Sequence, residues 1–369
     1  MYALFRLNGP MLFRGPMEFS PYVRGPKTTA SSLILPTPST IAGALATFYL
    51  DAQKTNLPRA ARWEEAVVEL LGLEEACLRG PYVIVEHSGG EELYVQFGQQ
   101  LAKFGEIVRA LQSLDQDLRE TLAVNKKKLQ ELLENNHVNF YQPTFIERVG
   151  TRLERGSKRV KERGGLYTIR MVDYSALRSN KERIIVDKAF NNLGVVVEIC
   201  GSSKISDLEK REGILRFGGE GKVSHLVIKE GNPMTSKVKE LLASFEKGEA
   251  YLYLLTYSLY KSSKDHIKIH EVCKGGYVAP TIWGRVEGVL RKLSPSIEPK
   301  YIIGECTLLG AGYSISDEAR KPMYAALSPG TIIKVEGTKE DFLKLYKEGL
   351  SEVGSKIGYG TVIPVPVLR

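Results

Sequence analysis

The stretch Arg216–Lys222, RFGGEGK, sets three glycines between two basic residues. Glycine carries no Cβ, so its backbone takes φ > 0 and its amides approach a ligand closely. A phosphate is the ligand such a loop suits, and a tight turn between strands is the plain alternative. Two nucleotide loops are excluded. The triphosphatase loop needs a glycine where Arg216 stands, and Ser or Thr where Val223 follows Lys222. The dinucleotide fingerprint fails at its last position, which Ser224 occupies.

Acid–base and metal chemistry have few candidates. His87, His137, His225, His266 and His270 are the histidines. His225 follows the glycine loop and is the one candidate for a general acid or base in RNA cleavage; a structural histidine is the alternative. In HIKIHEVC, His266 and His270 share a strand face while Cys273 points away, and no second cluster completes four zinc ligands. No nucleophile elbow or HExxH helix occurs.

Basic character is concentrated. From Arg148 to Arg163, RVGTRLERGSKRVKER holds seven Lys or Arg against two Glu, a local charge of +5. Its glycines and lack of apolar periodicity predict a loop, either solvated or in contact with RNA. A second irregular stretch, residues 10–32, carries Arg14, Arg24 and Lys27 among Phe13, Phe19 and Tyr22. Then PTPSTIAGAL predicts a helix start, with Pro38 leading and Ser39 or Thr40 as N-cap. Free amides and the positive dipole end there suit a phosphate.

These features need a scaffold, and the chain is long enough for two domains with separate cores at 369 residues. Hydrophobic content of 43% and charged content of 25% describe an ordinary globular protein. No apolar run approaches the ~20 residues of a membrane helix, and the N-terminus lacks a signal-peptide layout. Four scattered cysteines make no disulfide framework, so a reducing cytoplasm is expected. The net charge of +8 favours an anionic partner.

Alternation in YALFRLNG predicts an opening strand. PYVIVEH and ELYVQF, joined by Ser88-Gly89-Gly90, predict a hairpin. Three- and four-residue apolar steps from Leu101 to Leu133 predict one long helix or a helical pair. Strands follow at 165–172 and 194–201, then a helix over 204–213, the glycine loop and the strand KVSHLVI. In the second half a helix (SKVKELLASFEKG), a strand (EAYLYLLTYSLY), a strand at 330–337 and a helix at 339–350 lead to a second glycine loop and strand. Each half thus ends helix, glycine loop, strand. The expected fold is α+β, two tandem ferredoxin-like (RRM-like) domains with insertions, 1–230 and 231–369, and a helical insertion near 101–135.

LFRGPMEF, PTPSTIAGAL, RVGTRLERGSKRVKERGGLYTIRMV, RFGGEGK and GAGYSISDEARKPMYAALSPGTIIKVEG occur in this order across most of the chain. Together they resemble the RAMP superfamily of type III CRISPR effectors. More narrowly, the chain resembles the third-named subunit of the type III-B Cmr complex, which caps the 5′ tag of the crRNA. The resemblance implies crRNA binding and docking between the large polymerase-like subunit and the adjacent backbone RAMP subunit, with no catalysis and no cofactor. Carried onto matching positions, it implies RNA contacts at Arg14, Ser39, Thr40, Arg148, Arg152, Lys158, Arg159, Arg216, Gly218, Gly219, Gly221 and Lys222. Tyr22, Tyr167 and Tyr313 are candidates for base stacking, with structural roles as the alternative. Two rival functions stay open: a metal-independent RAMP endoribonuclease acting on precursor crRNA, and a scaffold without RNA contact.

Overall fold

A computed structural model describes residues 1–15, 29–54, 63–114, 125–151, 166–179, 183–185, 193–201, 203–209, 211–261, 278–310, 313–314, 319–320 and 322–367. Strands in the first half are β1 (Tyr2–Leu7), β2 (Thr29–Ser31), β3 (Cys77–His87), β4 (Gly90–Phe97), β5 (Gln100–Lys103), β6 (Phe140–Thr151) and β7 (Leu166–Arg178). They continue with β8 (Arg183–Ile185), β9 (Leu193–Cys200), β10 (Glu212–Arg216) and β11 (Val223–Lys229). The second half has β12 (Lys247–Leu254), β13 (Ser258–Tyr260), β14 (Glu298–Ile303), β15 (Cys306–Gly310), β16 (Tyr313–Ser314) and β17 (Ala319–Arg320). It closes with β18 (Met323–Leu327), β19 (Ile332–Thr338) and β20 (Val362–Pro366). The α-helices are α1 (Pro38–Gln53), α2 (Trp63–Leu71), α3 (Phe104–Ser113), α4 (Lys126–Asn135), α5 (Pro233–Leu241), α6 (Pro280–Leu293) and α7 (Lys339–Glu348).

The fold is mixed α+β, its sheets antiparallel except where β2 pairs with β7 in parallel. At the heart of the large sheet the order is β11-β1-β9-β3, with α1 between β1 and β3 in sequence. The second half repeats this plan as β20-β12-β19-β14, with α6 after β12 and α7 before β20. Both central strands are apolar on both faces, which suits burial on both sides. Ala3 and Phe5 of β1 pack on the α1 side with Ile41, Ala42 and Leu45, and the small side chains let the helix lie close. Tyr2 and Leu4, on the opposite face, join Tyr251, Tyr253, Ile333 and Ile363 of the second half. Each large apolar cluster therefore draws on both halves, unlike the separate cores expected from length.

Local signals read as expected in several places. The β3–β4 hairpin closes with His87 opposite Gly90. Thr338 and Asp341 form a capping box at the start of α7. Residues 101–135 contain the helical pair α3 and α4, but Leu101 itself belongs to β5. The helix expected over 204–213 does not form among the described residues. The Ser206 and Leu208 amides donate to the Ser203 and Ile205 carbonyls, so the chain turns in three-residue steps. Ser203 and Ser206 also pair through their hydroxyls at 3.1 Å, the local competition with helix expected of serine. No described helix is long and apolar enough to cross a membrane.

Candidate nucleic-acid interface

The glycine loop connects β10 to β11 at the edge of the large sheet. Phe217 anchors it: its ring stacks on Phe5 at 4.5 Å and meets Phe13 edge-on at 5.4 Å. The Phe217 amide donates to the Lys222 carbonyl at 2.8 Å, closing the turn. The Gly219 amide donates to the Leu12 carbonyl at 2.8 Å, pinning the loop onto Met11–Arg14. Gly218 (φ +80°) and Gly221 (φ +66°) use the left-handed conformation, as does Glu220 (φ +58°). Gly219 does not. Its amide is spent on protein, so it is a packing glycine and not a donor to a phosphate. Among the described residues the amides of Gly218 and Gly221 have no protein acceptor.

Leu12 is the hub of this surface. It packs on Ile169 and Met171 of β7. Arg148 of β6 stands directly opposite Ile169, so it lies on the same sheet face as that cluster. The segment is held from behind as well. The Met11 and Val172 amides donate to each other's carbonyls, and the Phe13 amide donates to Ser32 Oγ at 2.8 Å. Arg14 is exposed at its end, and Arg216 and Gly218 are exposed in the loop. Arg14, Arg148, Arg216, Gly218, Gly219, Gly221 and Lys222 therefore converge from three distant parts of the chain. Arg170, not among the sequence candidates, is exposed on the other face of the β6–β7 hairpin, its guanidinium 4.5 Å from the Phe145 ring centre.

Arg148 is a strand residue, so the basic loop begins later than its sequence indicates. Arg152, Lys158 and Arg159 lie outside the described residues. Tyr22, His266, His270 and Cys273 lie there too, as do the side chains of Tyr167 and Tyr313.

Ser39 and Thr40 form a separate place in the fold. The N-cap of α1 is Thr37, and Ser39 and Thr40 sit inside the first turn. Pro38 carried this signal, since proline favours the first helical position and makes the preceding residue the cap. The Thr37 hydroxyl bonds those of Ser39 and Thr40 at 3.0 Å each. Tyr359 of the second glycine loop completes the arrangement, its hydroxyl 3.0 Å from Ser39 Oγ. Burial raises the pKa of that phenol, so it stays neutral. A phenol thus occupies the helix end where a phosphate was expected. Gly358 in the same loop (φ +107°) leaves no room for a Cβ, which would meet the Gly80 carbonyl at 2.8 Å. This second loop joins the halves.

His225 lies on the outer face of β11, half-exposed, with Nε2 3.7 Å from Glu212 Oε2. Glu212 is 72% exposed, so this contact is a solvent-screened surface pair.

The family model for the CRISPR-associated protein Cas_Cmr3 matches residues 10–138 and 116–366. The chain belongs to this family. A relative described as CRISPR system CMR subunit Cmr3, from Saccharolobus solfataricus, is 24% identical over 96% of this chain and 93% of its own length. A chain in the cryo-EM structure of the type III-B Cmr-beta bound to cognate target RNA shares the fold, with TM-score 0.54 and 21% identity over 98% of this chain and 96% of that one. A second such structure, with AMPPnP also bound, gives TM-score 0.53 and 19% identity over the same shares. The Cmr3-family match spans the Arg14, glycine-loop and Arg148 segments alike.

Proposed function

We propose that this chain is a non-catalytic subunit of a type III-B CRISPR effector that binds crRNA and caps its 5′ tag. In this reading it links the large polymerase-like subunit to the adjacent backbone RAMP subunit. Family membership carries the proposal, and the convergence of basic and glycine residues on Leu12 supports it. The shared strand plan of the two halves supports two tandem ferredoxin-like domains, whose sheets hold this surface rigid. Arg14, Arg148, Arg216 and Lys222 neutralise phosphates, while the amides of Gly218 and Gly221 donate to phosphate oxygens. Base discrimination then falls to unstacked tag nucleotides bound by side chains.

The test is crRNA retention by the reconstituted effector as salt is raised. Arg148→Ala with Arg216→Ala should weaken retention and flatten the plot of log affinity against log salt. The expected change is about 0.7 units of slope per lost single-strand phosphate contact. An unchanged slope and affinity would return this face to plain solvated surface.

Absence of cleavage is the second expected result. His225 stands opposite Arg6 and Ile214 in the sheet and touches the exposed Glu212 carboxylate, and among the described residues no second histidine pairs with it for acid–base work. Purified protein should leave precursor repeat RNA intact, with or without divalent metal. Specific cuts that disappear in His225→Ala would make the chain a RAMP endoribonuclease instead.

A further inference from the structure

Cys77 and Cys200 are far apart in sequence, yet they stand directly opposite each other in the β3–β9 ladder. Opposed residues of antiparallel strands project from the same face with Cα atoms about 4.5–5.5 Å apart. A disulfide bridges Cα separations of about 4.4–6.8 Å. The two thiols shift each other's pKa in opposite directions, as neighbours on one face do. Cys77 is buried and Cys200 half-buried, with its Sγ 3.7 Å from Thr235 Oγ1 at the start of α5.

The surroundings favour thiolate on Cys77. Arg79, two residues along β3, shares its face. The Arg79 guanidinium is buried and donates to the carbonyls of Tyr346, Leu78 and Ser355, while Nη2 has no acceptor among the described residues. The neighbouring Cys200 thiol lowers the Cys77 pKa; burial opposes this, and the charges of Arg79 and Lys356 assist it. The same neighbour relation, together with burial, raises the pKa of Cys200.

We propose that Cys77 and Cys200 are a thiol–disulfide couple that closes by exchange with a low-molecular-weight disulfide such as oxidised glutathione. Half-buried Cys200 passes its proton to the adjacent Cys77 thiolate and attacks one sulfur of the reagent, releasing one glutathione thiolate, and Cys77 then gives that proton to solvent. The Cys77 thiolate then attacks Cys200 Sγ and displaces the second thiolate, which takes up a proton. The balance is two protein thiols plus one glutathione disulfide giving one protein disulfide plus two glutathione thiols. Closure ties β3 to β9 beside Thr235, where the first half meets α5. It also closes a long loop of the unfolded chain, which stabilises the fold.

The experiment uses the full chain with Cys273→Ser, incubated with oxidised glutathione at mildly alkaline pH. Intact mass should fall by two hydrogens, the thiol count by two, and peptide mapping should join Cys77 to Cys200. Tm should rise on the order of 5 °C and return when dithiothreitol is added. Cys306 faces Leu327 in its own ladder and should stay in the reduced thiol form. Cys77→Ser should stop at one glutathione held on Cys200, because the resolving thiol is gone. Cys200→Ser should leave buried Cys77 unmodified. A glutathione adduct that persists on Cys200 while Cys77 is present, or no loss of thiols at all, would overturn the couple. A crosslink through Cys306 would overturn it as well.

Discussion

Glu198→Ala should destabilise the folded chain by about 3 kcal/mol or more, because several buried donors lose one shared acceptor. Glu198 is fully buried on β9. Its carboxylate accepts from the Met234 and Thr235 amides, which are orphan donors of the first turn of α5. It also accepts from the Thr235 hydroxyl, from Tyr82 at 3.0 Å and from Tyr346 at 3.1 Å. Tyr82 belongs to β3 and Tyr346 to α7, so one side chain ties the large sheet to the second half. Each donor left unsatisfied costs about 1–3 kcal/mol, and a domain's total stability is about 5–15 kcal/mol. Denaturant unfolding of Glu198→Ala and Glu198→Gln checks this. Glu198→Gln should fall between parent and alanine variant, since it keeps one carbonyl acceptor and the side-chain volume. An alanine variant within about 1 kcal/mol of the parent would mean that water or repacking replaces the carboxylate.

The glycine loop should respond to alanine in the order Gly218, then Gly221, then Gly219. At Gly218 two costs add. The residue holds φ +80°, and a Cβ would stand 2.8 Å from the Leu12 carbonyl oxygen, a backbone atom with little room to move. The left-handed conformation alone costs an L-residue about 1–2 kcal/mol, and displacing Leu12 disturbs the hub on which Arg14 and Arg148 converge. Gly221 holds φ +66° but its Cβ would meet open space, so it bears the conformational cost alone. Gly219 needs no positive φ, and its Cβ would meet Leu12 Cδ2 at 3.1 Å, an atom that moves by a small rotation. In the reconstituted effector, Gly218→Ala should sharply weaken tag-RNA binding and lower the protein's Tm. Gly219→Ala should change both little. Should Gly219→Ala prove the most damaging, Leu12 is not the support of this surface; should Gly218→Ala bind at full affinity, the loop is a turn only.

What could be read from the chain itself was what neighbouring residues decide. The hairpin around Ser88, the strand and helix on either side of Thr338, and the turn at Gly218 to Gly221 all depend on local torsions and short-range periodicity. The Arg14, PTPST and RFGGEGK segments were recognisable as a set because their types and order are linear properties. The same local reasoning misjudged 204–213, where serine hydroxyls and three-residue bonds compete with a helix that polar periodicity alone suggested. It also placed the α1 cap on Ser39 or Thr40, although Pro38 points to Thr37.

Tertiary structure decided everything that depends on residues distant in sequence. Periodicity marks which side chains are buried but not which partner meets them. It could not show that the Gly219 amide is consumed by Leu12, that the Tyr359 hydroxyl occupies the helix end proposed for phosphate, or that Glu198 binds both halves. Nor could four scattered cysteines reveal that Cys77 and Cys200 face each other, because strand register is set by the whole sheet. Composition and motif order determined the family and the chemistry on offer. Which of those groups remain available to a ligand was settled by long-range contacts, because a buried amide or hydroxyl takes the nearest acceptor the packing provides.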